Sequence, residues 1–78
     1  MIYQKYDLKS HGFYWLIVEQ DYERDVAFGY ANLNDDDMAE WGYISITELL
    51  KNGAELDRKW EPRAYKDAVR RISEERSM

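Results

Sequence analysis

The fold is decided by residues 13–20, which read FYWLIVEQ. Aromatic and β-branched side chains dominate this stretch, and both kinds favour extended strands. Because the apolar residues follow one another without strict alternation, we expect a strand that is buried on both faces over part of its length. Such a strand belongs in the middle of a sheet, with other strands on either side of it.

The sequence around this central strand alternates strand patterns with turn residues. The predicted elements are a short edge strand over residues 2–6, a turn over 7–12, a charged hairpin loop over 21–25, a strand over 26–33, an acidic loop over 32–40 and a strand over 41–45. In the stretch 26–33, bulky side chains alternate with alanine and glycine, so one face is bulky and the other is small.

Two helices are predicted in the second half of the chain. Ser45 to Glu48 matches the capping box, with Ser45 as the N-cap and Glu48 reaching back to its amide. Gly53 is well placed to end that short helix in a left-handed conformation. Residues 54–60 form either a short strand or an extended segment, and Pro62 is predicted to open the last helix. That helix carries an apolar stripe made of Tyr65, Ala68, Val69 and Ile72.

The length and composition indicate a small domain that relies on aromatic residues. Tyr, Trp and Phe together make twelve of the 78 residues, and there is no cysteine, which excludes disulfides, thiolate catalysis and cysteine-ligated metals. The longest apolar run, residues 13–18, is too short to span a bilayer. We therefore predict a single cytoplasmic domain over residues 1–78, without membrane contact. Its class is α+β, with an antiparallel sheet of three to four strands, a short helix and a long C-terminal helix packed on it.

The rings are divided into two predicted groups, because twelve are more than so small a core is expected to hold. The predicted core rings are Trp15, Phe28, Tyr43 and Tyr65. The rings predicted to be partly exposed come from Tyr14, Tyr22, Tyr30, Trp41 and Trp60. Exposed Trp and Tyr either cover the open face of the sheet or anchor a protein interface.

Charge is spread unevenly along the chain. The net charge is −5, yet residues 19–40 hold eight carboxylates against one arginine, a net charge of −7. Residues 51–76 hold eight basic and six acidic side chains, a net charge of +2. The phosphate backbone dominates nucleic-acid affinity, so the acidic middle disfavours direct nucleic-acid binding and favours a partner with a basic surface.

A spaced pattern of residues adds a resemblance to a known family. The pattern is W-x-x-x-E-x-D, then F-G, then E-x-G-Y-x-S-x-x-E-L, carried here by Trp15, Glu19, Asp21, Phe28, Gly29, Glu40, Gly42, Tyr43, Ser45, Glu48 and Leu49. It resembles an uncharacterised domain-of-unknown-function family of plasmids, phages and other mobile elements. The stretch 56–60 is similar to the region before that family's last helix. The resemblance implies a consistent fold and a mobile-element setting, and it supplies no activity. The chain departs from the family at the N-terminus, where the family carries an extra helix, and at Trp41, where the family has a small or aliphatic residue.

Catalytic and metal-binding patterns are weak in this sequence. His11 is the single histidine and lies in a predicted turn, and Ser45 is already explained as a helix cap. Glu19 and Asp21 share one strand face, a pairing that serves either acid–base chemistry or a salt bridge at a strand end. The acidic loop offers hard oxygen ligands, but its spacing does not fit the EF-hand pattern. We predict no enzyme activity, no cofactor and no metal site.

The leading hypothesis is a non-catalytic protein-interaction domain of mobile-element origin. A concrete form is an acidic inhibitor of a host nucleic-acid-handling machine, of the anti-CRISPR or anti-restriction type, that presents carboxylates where phosphates would lie. The predicted partner-binding residues are Asp21, Glu23, Asp25, Tyr30, Asp35, Asp36, Asp37, Glu40 and Trp41. The alternatives are a homodimeric accessory or structural protein, and a metal-dependent binder or enzyme that uses the acidic loop.

Overall fold

The computed structural model describes residues 1–76 as an antiparallel sheet with two helices, which confirms the α+β class. The elements in chain order are β1 (Gln4–Leu8), β2 (Phe13–Asp21), β3 (Val26–Leu33), β4 (Glu40–Ile44), α1 (Ile46–Lys51), β5 (Glu55–Leu56) and α2 (Tyr65–Arg76). The strand order across the sheet is β4-β3-β2-β1-β5. The prediction that residues 13–20 form the central strand is therefore confirmed.

Within residues 1–76 the sheet has five strands, where three to four were predicted. The N-terminal strand is internal, because β1 pairs with β2 on one side and with β5 on the other. β5 lies in the ambiguous stretch 54–60 and contains two residues, which is too short for a periodic sequence signal.

Two cores lie on opposite faces of β2. Trp15 and Ile17 face a cluster that includes Ile46 and Leu49 of α1. Leu16 lies on the opposite face, in the second cluster. This cluster also includes Tyr14 and Tyr30 from the sheet and Ala68 and Ile72 from α2. The continuous apolar character of residues 13–18 therefore arises because a helix covers each face of the strand. The apolar stripe predicted for the last helix packs against this second cluster as expected.

The predicted N-cap Ser45 and the predicted terminator Gly53 of α1 are confirmed, whereas the predicted return of the Glu48 side chain to the Ser45 amide is not among the hydrogen bonds within residues 1–76. The Ser45 hydroxyl accepts a hydrogen bond from the Glu48 amide at 3.2 Å, as an N-cap does. Gly53 has a φ of +95° and donates to the Leu50 carbonyl, while the next amide, of Ala54, donates to the Leu49 carbonyl. These two bonds form a Schellman motif, which needs the left-handed conformation that glycine adopts without strain.

The last helix begins at Tyr65, so the predicted start at Pro62 is wrong. The cause is a backbone pairing between Arg63 and Ile2, in which each amide donates to the other residue's carbonyl, at 2.7 and 3.1 Å. This pairing holds the segment around Arg63 extended, and the helix starts only after it. Residues 77 and 78 lie outside the described part of the chain.

A β-bulge shapes the middle of the sheet. Ile17 pairs with Gly29 and Glu19 pairs with Phe28, so Val18 is an extra residue on β2. A Cβ atom at Gly29 would collide with the carbonyl oxygen of Leu16, and only glycine fits this close approach.

Candidate functional site

The clearest surface feature is a cluster of rings on the α2 face of β3 and β4. The strand register places Phe28 opposite Tyr43 and Tyr30 opposite Trp41. We call these four residues, with Tyr65 at the start of α2, the aromatic row. Its ring centroids are 5.5 Å apart for Phe28–Tyr43, 5.4 Å for Tyr30–Trp41 and 5.1 Å for Trp41–Tyr65. Aromatic pairs at these spacings are favourable, so the row is a preformed surface.

The exposure of the row rises from its buried centre to the edge of the sheet. Tyr30 retains 9% of its accessible surface, while Trp41 retains 43% and Tyr43 retains 82%. Burial raises the pKa of the Tyr30 hydroxyl to about 12, so this ring stays neutral in the core. The prediction that Tyr30 is partly exposed is therefore wrong, because α2 covers it through Tyr65. Its place among the partner-binding residues stays a prediction. Trp41 lies at the surface, as predicted.

Other rings are also placed differently from the prediction. Tyr43 was expected in the core, and Tyr14 was expected to be partly exposed, yet Tyr43 is exposed and Tyr14 is buried. Among the remaining predictions, Trp15 is buried and Tyr22 is exposed as expected. A sequence signal for Tyr43 existed, because residues two apart on a strand share a face and Trp41 was predicted to be exposed.

The acidic residues form two separate groups. The hairpin turn after Asp21 and the loop after Leu33 lie at opposite ends of β3. The eight residues of β3 span about 23 Å, so the structure does not join the two groups into one acidic patch. Instead, one group lies beyond each end of the aromatic row.

Two of the hairpin carboxylates hold the local backbone. Asp21 accepts hydrogen bonds from the amides of Glu23 and Arg24, at 3.1 and 3.3 Å. Asp25 accepts from the Ser45 hydroxyl at 2.6 Å and from the Thr47 amide at 3.1 Å, and so ties the hairpin to the start of α1. The Ser45 hydrogen bond and then the Thr47 amide lower the pKa of Asp25.

The acidic loop is organised by the buried side-chain amide of Asn32. Asn32 is fully buried, and its amide nitrogen donates to the Tyr14 hydroxyl at 3.2 Å and to the Asp36 carboxylate at 2.8 Å. Its oxygen accepts from the Asp35 amide at 3.1 Å, and the Asp35 carboxylate accepts from the Asp37 amide at 3.0 Å. Asp35 and Asp36 therefore shape the loop.

Among the exposed carboxylates beyond the ends of the aromatic row, those of Glu23, Asp37 and Glu40 accept no hydrogen bond that holds either turn within residues 1–76. Glu23 lies in the hairpin turn, while Asp37 and Glu40 lie in and directly after the loop that leads to β4. Within residues 1–76, no group of three or more His, Cys, Asp or Glu side chains is arranged to hold a metal ion.

A second surface is an open groove of about 1070 Å³ between the β1–β5 edge and α2. Lys5 is buried beside it, with its ammonium nitrogen 3.0 Å from Asp7 and 3.8 Å from Asp57. The Arg63 guanidinium lies 4.4 Å from the Trp60 ring centroid. Among residues 1–76, six basic and five acidic side chains line the groove, so these residues present no surface of one sign to a phosphate backbone.

Comparisons of the chain with protein-family models, with curated proteins and with solved structures found no match. The mobile-element resemblance therefore stays a prediction, and the function has to be inferred from the surface itself. None of the helices within residues 1–76 has the length and apolar character needed to cross a bilayer.

Proposed function

We propose that this chain is a non-catalytic protein-interaction domain that binds a basic surface of a partner protein. The observation that supports it is the pair of rings at Trp41 and Tyr43, exposed between two acidic groups. Trp and Tyr are the residues most often found to dominate interface energetics. A Tyr that leaves 82% of its surface in water contributes little to the folded core.

The charges around the rings indicate the sign of the partner. Glu23 lies beyond one end of the row and Asp37 and Glu40 lie beyond the other, in a segment whose net charge is −7. Complementary charge speeds the encounter of two proteins and selects against wrong partners. Aromatic rings that become buried in the interface supply most of the affinity. A basic partner with an apolar centre fits both features.

A concrete form of this proposal is an acidic inhibitor of a host nucleic-acid-handling machine, of the anti-CRISPR or anti-restriction type. Two features support it: the acidic segment and the resemblance of residues 15–49 to a mobile-element family. Acidic groups about 23 Å apart on a rigid sheet would present separated negative charges to a nucleic-acid channel.

The test is an affinity pull-down from a lysate of the source cells with two matched variants. One variant removes the exposed rings (Trp41→Ala with Tyr43→Ala), and the other neutralises the charges that do not hold the loop (Asp37→Asn with Glu40→Gln). We expect the wild type to recover a basic nucleic-acid-handling protein at low salt and the ring variant to lose it. The charge variant should recover less of it at low salt and depend less on salt than the wild type, because the charges that salt screens have been removed. Equal recovery by the wild type and both variants would contradict the proposal.

The homodimeric alternative rests on one observation: within residues 1–76, β4 pairs with β3 alone, so its other side has backbone groups that could pair with another strand. Sedimentation at micromolar concentration distinguishes it from the leading proposal. A strict monomer removes the alternative, whereas a dimer that is lost in the ring variant would replace the leading proposal with self-association.

A further inference from the structure

The two edges of the sheet differ in how they are protected. The strand at one edge is β5, which has two residues. Very short edge strands resist pairing with another chain. β4 ends the other edge with five residues, Glu40–Ile44, and within residues 1–76 it pairs with β3 alone. Charged side chains, proline and bulges are the usual devices that block an edge. β4 contains no lysine, no proline and no bulge, and its single charged residue, Glu40, lies at its first position. Its outward backbone groups are therefore open to a further strand.

Gly42, at the centre of β4, has no explanation within the fold. A Cβ atom built on Gly42 meets no atom of residues 1–76 within 4 Å, and the residue does not have a positive φ. Gly29, by contrast, is required by the close approach of Leu16. Glycine weakens a strand, and an unexplained glycine in a strand often marks a place where another chain approaches closely.

The charges at the two ends of β4 select the occupant. Glu40 begins the strand directly after the acidic loop, and Asp25 binds Ser45 immediately after the strand ends. In a second copy paired antiparallel about Gly42, the acidic start of each strand would meet the acidic end of the other. Like charges placed opposite one another are destabilising, so the edge disfavours a second copy and favours a segment with basic ends.

We propose that the β4 edge accepts an extended segment of the basic partner as a sixth strand, with a large apolar side chain over Gly42 and Lys or Arg near each end. The neighbouring side chains of that segment lie beside Trp41 and Tyr43 and extend the aromatic row. Main-chain hydrogen bonds supply affinity in this mode, and the side chains supply specificity. The inference rests on the proposed function, because it names the partner segment that the same surface takes.

The test uses a synthetic peptide in which isoleucine alternates with threonine between Lys-Arg ends, and a matched peptide with Glu-Asp ends. Binding is measured at low salt by amide chemical shifts and by hydrogen exchange of residues 41–44. We expect the basic peptide to slow exchange in β4 and the acidic peptide not to. Equal effects of the two peptides, or shifts that avoid β4, would overturn the proposal. Slow exchange that appears without peptide and grows with protein concentration would assign the edge to a second copy instead.

The role of Gly42 is tested with the variant Gly42→Val. Its side chain fills the open space beside Gly42, and valine suits a strand better than glycine. We expect its melting temperature to equal or exceed that of the wild type, and its affinity for the basic peptide to fall by about tenfold or more. Unchanged affinity would overturn the role of Gly42. If Gly42→Val recovers the lysate partner as well as the wild type does, while the ring variant loses it, strand addition fails and the proposed function stands.

Discussion

The buried amide of Asn32 gives the sharpest test of how the acidic loop is built. Asn32→Ala removes two donated hydrogen bonds, to Tyr14 and Asp36, and one accepted from the Asp35 amide. Each such bond contributes about 0.5–1.5 kcal/mol net, and the buried Tyr14 hydroxyl also loses a partner. We therefore expect a loss of about 2–4 kcal/mol in the free energy of unfolding. That is a large fraction of the stability of a domain this small, which is of order 5–10 kcal/mol.

The assay is urea unfolding followed by tryptophan fluorescence, for wild type, Asn32→Ala, Tyr14→Phe and the double variant. Tyr14→Phe removes one bond and leaves Asn32 bound to Asp36, so we expect a loss of about 0.5–1.5 kcal/mol. The double variant should lose less than the sum of the two, because the single changes share one hydrogen bond. A loss below about 0.5 kcal/mol for Asn32→Ala would refute the reasoning, and so would strict additivity.

Two further predictions concern the bulge and the hairpin. Gly29→Ala forces a Cβ atom onto the Leu16 carbonyl oxygen, so we expect a loss of about 1–3 kcal/mol or more in urea unfolding, while Gly42→Ala in open space stays close to the wild type. The pKa of Asp25 is lowered in the folded state, so its charge stabilises the fold above about pH 4, and that contribution is lost as the pH falls through the folded pKa. Asp25→Asn should unfold more easily than the wild type at pH 7, and the difference should shrink as the pH falls through the folded pKa of Asp25; a pH-independent difference would contradict this.

Elements that depend on local chemistry could be predicted from the sequence. The capping residue Ser45 and the left-handed Gly53 fix the ends of α1 through contacts with their own neighbours. The density of apolar residues placed β2 at the centre of the sheet. The start of α2 could not be predicted, because it depends on the pairing of Arg63 with Ile2, sixty-one positions earlier in the chain.

The hardest feature to predict was which aromatic rings are buried and which are exposed. Tyr30 and Tyr43 are both flanked by small and apolar residues. The neighbouring residues therefore do not show which of the two rings is buried. What separates them is position: β3 is an inner strand covered by α2, and β4 is an edge strand. Strand order and helix placement are set by long-range packing, which period-two patterns in a single strand do not contain.

The carboxylates also differ in their structural role, because some hold the local backbone and others do not. This difference determines how charge variants should be designed. Asp21, Asp25, Asp35 and Asp36 all accept hydrogen bonds that hold the two acidic turns. A charge variant at any of them alters both the field of the surface and the shape of the loop, so a loss of binding would have two explanations. Asp37 and Glu40 carry charge at one end of β4, and no side-chain hydrogen bond of theirs holds the loop within residues 1–76. Neutralising these two residues therefore isolates the electrostatic contribution on which both proposals depend.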